Sequence, residues 1–401
     1  MRRRGWLWSV AGVGFGLLLL AGTGGQGSAA PAGVLTPTVL WVPDEHHTGG
    51  AYTAIQAGPD GAVYLGTTFY DSYGRLLVLP PGQREWRLIT DAGSATGDRT
   101  TGPYSQGKVH TKPVVAPDGR VYFGTKKSQA RTKVAGVYRG GFLLVYDPRS
   151  GRVTNLGIPR PGQSIIALGL DAARQTLYIL SDPEGHLVTY DLRSQRFTDR
   201  GMFTDGGEPS RYLPVLANGD AFHRAGADAV FRYDASAGRI ERLPLRTTGQ
   251  GSYEVPYAVI AHPDGRRFHG VGLRSGQVYT YLPGADHVTV RLHGALVPPG
   301  FSLPGVFYTM TGAPDGHVYY TGVFNPETLF LFRLNSRTER LELVGRVADL
   351  PSSPGRPFAP HVQRSDQLMV QGSTVAPDGT LYVMTAYPLR VLVFPRLAGG
   401  S

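Results

Sequence analysis

With 401 residues, 41% of them hydrophobic, the chain carries enough apolar material for a packed core, which excludes a disordered class. Its 55 glycines and 31 prolines mark a chain dense in turns, and the lack of any cysteine excludes both a disulfide framework and a thiolate metal site. The formal charge of +10 fits either an acidic partner or a solvated, arginine-rich surface.

The first predicted element is a leader. Arg2, Arg3 and Arg4 form a basic n-region, and Val10 to Ala21 an apolar stretch too short and glycine-rich for a confident membrane span. Ala30-Pro31-Ala32 fits a small-residue cleavage site that leaves Gly33 first. Residues 1–32 are read as a signal peptide and 33–401 as the mature domain, exported to a periplasmic or extracellular compartment. An uncleaved N-terminal anchor is the alternative. Losing the three leader arginines takes the charge from +10 to +7. No second apolar run of spanning length follows, so no membrane span is expected after cleavage, and nucleic acid is a poor partner for an exported chain.

Beyond the leader one phrase organises everything. Ala116 to Thr125 reads Ala-Pro-Asp-Gly-Arg-Val-Tyr-Phe-Gly-Thr: a tight turn followed by an alternating strand. The phrase returns around Asp60, Asp315 and Asp378, in worn form around Asp264, and without the triplet around Arg174 and Asn218. Seven copies at a spacing of roughly 45 to 63 residues fall near or above the period of propeller blades.

In chain order, Val34 to Val42 is a strand with no turn phrase before it, and its expected partner is the C-terminal run from Arg390 to Pro395. Seven units of four short strands follow, beginning near Tyr52, Val109, Ile165, Tyr212, Tyr257, Val306 and Leu368. No convincing helical periodicity occurs outside the leader. The expected fold is all-β: a single seven-bladed β-propeller of four-stranded antiparallel blades, the last blade closed by the N-terminal strand. Deleting residues 33–43 should then destabilise the whole ring. A monomer is expected.

The repeated phrase resembles that of the seven-bladed propellers of the NHL, SMP-30 and streptogramin B lyase type, over nearly the whole mature chain. The matching residues are structural ones, so the resemblance implies architecture, and no catalytic motif of those families can be laid onto this sequence.

Candidate chemistry falls at one mouth of the ring. All five lysines (Lys108, Lys112, Lys126, Lys127 and Lys133) lie in the second unit. That unit also holds the longest loop between second and third strands, Lys126 to Gly140, which carries Arg131 and Arg139 as well. This cationic lip, with Arg211 and Arg364 as further candidates, is expected to bind an acidic small molecule or polysaccharide, such as a uronate-containing saccharide; a solvated loop is the plainer reading. Histidines form a second cluster: His110 opens an inner strand and is a candidate base, while His46, His47 and His361 are candidate ligands for a divalent metal, with no metal-spacing motif behind them. Tyr212 is the alternative base. The aspartates of Tyr146-Asp147, Tyr190-Asp191 and Tyr233-Asp234 are read as turn residues. Two function classes result: a lyase cleaving an acidic saccharide or a related ester by elimination, in the manner of several propeller-fold polysaccharide lyases, and a non-catalytic binding or assembly propeller.

Overall fold

The computed structural model describes residues 33–128, 138–249, 251–302, 304–324, 328–351, 368–386 and 388–397. The expected leader, the middle of the long loop with Arg131 and Lys133, and the segment with His361 and Arg364 lie outside them.

The repeated phrase folds as its chemistry dictates. Gly61, Gly119, Gly316 and Gly379 take φ values of 83°, 87°, 85° and 84°, where a side chain would be strained. One residue earlier, the carboxylates of Asp60, Asp118, Asp315 and Asp378 accept from backbone N–H groups two residues on, at 3.1, 3.1, 3.0 and 2.9 Å. Asn218 does the same for Asp220 (3.0 Å) in the fourth copy, which lacks the triplet. Asp147, Asp191 and Asp234 likewise cap their turns, so those aspartates are structural.

Each turn launches a meander. Blade one is Ile55–Ala57, Val63–Gly66, Arg75–Leu79 and Arg87–Asp91, all antiparallel in order. Blade three is Ser164–Asp171, Thr176–Asp182, His186–Asp191 and Arg196–Met202. Apolar cores lie between successive units: Leu76 clusters with Phe123, Leu143 with Ile179, Phe222 with Tyr281, and Met310 with Val278. A further core joins Val391 and Met384 of the last unit to Ile55 and Leu65 of the first, which closes the ring.

The closure works as expected, with a refinement. Thr38–Trp41 pairs antiparallel with Arg390–Phe394, so the N-terminal strand completes the last sheet. Pro37, which lacks an N–H for a ladder, separates it from Val34–Leu35; that shorter piece instead adds parallel to Leu341–Val347 of the preceding sheet.

Three local expectations give way. The inner strand expected at Tyr212 to Leu216 is reduced to one bridge, Val215 to Ala221, because Pro214 interrupts the ladder. The outer strand Arg239–Gly249 runs on past its blade and pairs parallel with Val288–Ala295, fusing two meanders into one seven-stranded sheet. A short helix, Ala92–Thr96, is capped by Asp91, whose carboxylate accepts from Ser94 N at 2.8 Å, and by left-handed Gly97. Five residues are too few to show a period. Among the described residues no helix is long and apolar enough to cross a membrane.

Along the axis runs a cavity of about 330 Å3, lined by Gln56, Lys112, Leu168, Arg211, Ile260, Thr311 and Thr374, one from each successive unit. This is the central channel.

Candidate functional site

At one end of the channel the inner strands begin and the second strands finish. Val121–Lys126 is the second strand of blade two, and the short strand Lys108–Val109 pairs with its end, so Lys108 stands directly opposite Lys126. Directly paired residues share a face about 5 Å apart, and like charges there repel. Both side chains are nonetheless buried. Gly74 permits this: a Cβ there would meet Val109 N at 2.5 Å.

Two contacts stabilise the pair. Lys126 forms an ion pair with Asp182, the residue at the matching end of blade three's second strand, and both side chains are nearly inaccessible. Lys108 lies over the Tyr70 ring at 5.1 Å. Burial, with Lys126 and Arg211 nearby, still pushes the Lys108 ammonium down to about 7; Asp182 offsets only part of this. Lys126 is also lowered, its burial outweighing the attraction of Asp182.

Arg211 completes the cluster from the far side of the ring. Its guanidinium covers the Tyr52 ring at 5.2 Å, donates to Tyr257 Oη at 3.1 Å and reaches Gln371 Oε1 at 3.4 Å. Tyr52 in turn packs on His110, with ring centroids 5.1 Å apart. The mouth therefore gathers Lys108, Lys126 and Arg211, with Asp182 as the buried carboxylate among them.

The candidate bases have environments unlike those expected of them. His110 is buried, its Nδ1 has no hydrogen-bond partner, and burial together with Arg211, Lys126 and Lys108 holds its pKa well below the ordinary range. Such an imidazole is neutral at pH 7 and takes up a proton reluctantly, whereas an effective general base titrates near the working pH. Tyr212 is enclosed, its hydroxyl donates to the Tyr308 carbonyl at 2.8 Å, and burial raises its pKa. It keeps its proton.

The remaining candidates scatter. Lys112 misses the mouth and faces the channel. Lys127 is half-buried beside the cluster. Arg139 is exposed, over the Phe142 ring at 5.8 Å. His46 Nδ1 is engaged by Arg75 at 2.9 Å, and His47 lies 3.8 Å from Asp44. Burial lowers the pKa of both histidines. Among the described residues no group of three or more histidine or acidic side chains is placed to hold a metal. Sequence reasoning missed Asp182, Tyr70 and Gln371. Asp182 had a signal: it stands five residues after Leu177, as Lys126 stands five after Val121.

Fold and channel together define a β-propeller. No protein-family model matches the chain, and no curated protein does. Among solved structures it is similar to U3-55K, at 12% identity and a TM-score of 0.59 over 89% of this chain and 98% of that one. It is similar to the WD40 repeats of RRP9, at 12% identity and a TM-score of 0.58 over 92% and 99%. An extracellular domain from B. thetaiotaomicron matches at 12% identity and a TM-score of 0.55 over 89% of this chain and 39% of that one. At such identities the likeness shows the fold alone.

Proposed function

We propose that this protein is an exported binding propeller, of the NHL and SMP-30 kind, that captures an acidic ligand at the mouth formed by Lys108, Lys126 and Arg211. One observation carries the reading: two lysines are held side by side on one face, buried, with Arg211 near them, and Asp182 pairs with Lys126 while offsetting only part of the cost at Lys108. A carboxylate or sulfate arriving there would relieve repulsion that the fold otherwise sustains. Uronate-containing saccharides supply such carboxylates. Elimination draws little support, because neither His110 nor Tyr212 has the environment of a base.

The test is titration of polygalacturonate into the purified protein at several salt concentrations and at pH 8. Binding should weaken as salt rises, and it should take up protons, because the anion restores charge to a Lys108 that is largely neutral at that pH. Lys108→Met should remove the proton uptake. Salt-independent binding, or none to any polyanion, would sink the reading and favour an assembly propeller, as the WD40 similarity allows.

A further inference from the structure

The central channel carries a lysine that the mouth does not use. Lys112 follows the strand Lys108–Val109 and turns inward, into the cavity of about 330 Å3. It is half-buried and lines that cavity. Its ammonium donates to the Ser373 carbonyl at 3.0 Å, a neutral acceptor. No carboxylate lines the channel among the described residues; Arg211, at the mouth end, is the other charged group on the wall. An ammonium enclosed by the channel wall without a counter-charge is costly unless something anionic visits it.

The rest of the wall says what kind of visitor. Gln56, Thr311 and Thr374 offer polar atoms, while Leu168, Ile260 and Val375 offer apolar surface. A volume of this size is at the lower end for small-molecule sites and exceeds what an inorganic ion fills.

We propose that the central channel is a binding site for a small organic acid, whose carboxylate pairs with the Lys112 ammonium while its uncharged body lies along the channel wall. Arg211 borders both sites, but the lysines differ, so Lys112→Met and Lys108→Met tell the channel and the mouth apart. Burial alone lowers Lys112 to about 8. An arriving carboxylate raises it again, so above pH 8 binding draws in a proton.

The experiment is calorimetric titration of D-glucuronate, D-glucose and inorganic phosphate into the purified protein. Glucuronate should bind, glucose should not, and phosphate should bind more weakly. Lys112→Met, which keeps the hydrocarbon stem and removes the charge, should weaken glucuronate binding by about tenfold or more. On the unmodified protein at pH 9, titrations in two buffers of different ionisation heat should show uptake of about one proton. This arm needs no variant to fold. The proposal is overturned if glucuronate does not bind, if phosphate or glucose binds equally well, if Lys112→Met binds like the parent, or if no proton is taken up.

Discussion

Two clusters of ionisable groups lie on different sides of the ring, and they are balanced in different ways. Between the fifth and sixth units, His262, His269 and His293 surround Thr280, with Arg267, Arg291 and Glu339 beside them. His262 accepts from Asp264 N at 3.0 Å, and its Nε2 bonds the Gly316 carbonyl at 3.0 Å. The Thr280 hydroxyl meets His269 Nδ1 at 3.0 Å and His293 Nε2 at 2.7 Å, and Glu339 answers both arginines. Burial holds His269 near 3, so its ring stays neutral. At the mouth, by contrast, lysines face each other and Asp182 answers one of them. The first cluster is balanced by the protein itself and reads as structure. The second holds surplus charge in place, which points to a ligand.

That contrast can be broken most sharply at Asp182. Asp182→Ala leaves Lys126 buried and unpaired and should cost ~3–5 kcal/mol in urea unfolding. Adding Lys126→Met should recover most of the loss; if it does not, the carboxylate serves something other than the lysine pair.

Lys108→Met should stabilise the fold by ~1–3 kcal/mol at pH 7, since it removes a repelled cation. The sign across pH follows from the depressed pKa. Between about 7, the folded value, and about 10.4, the unfolded one, the unfolded chain binds more protons, so stability rises with pH. Thermal melts from pH 7 to pH 9, below the range where unfolded tyrosines ionise, should show that rise in the parent and a shallower one in Lys108→Met, where Lys126 and Lys112 still contribute.

Arg211→Lys keeps the charge but loses the flat stacking on Tyr52, and should weaken polygalacturonate about tenfold. An unchanged affinity would remove Arg211 from the mouth. The smallest effect belongs to the balanced cluster. In His269→Leu, Thr280 keeps His293 as partner and the unpartnered Nε2 disappears, so stability should move by less than ~1 kcal/mol. A large loss would show that this cluster depends on its histidines more than its hydrogen bonds imply.

Much of the architecture was legible because its determinants are local. The Pro-Asp-Gly triplets set their turns through a carboxylate two residues from its donor, and alternation set the strands. The parallel pairing of Arg239–Gly249 was not legible, since its partner lies some forty residues on and no periodic signal marks it. The site was half legible. Lysine crowding in blade two drew attention to the right place, yet it implied an exposed lip, and Lys108 and Lys126 are buried. Whether a charge is free depends on what the neighbouring blade presents, and Asp182 is 56 positions from Lys126.

By itself, then, the sequence determined an all-β repeat, its turns, and the strand that closes the ring, because each follows from chemistry within a few residues or from strict repetition. Only the tertiary structure decided which lysine is neutralised, that His110 is a buried neutral ring, and that Lys112 faces the channel. Those properties come from burial and from charges brought together across blades, and neither is encoded within any one repeat.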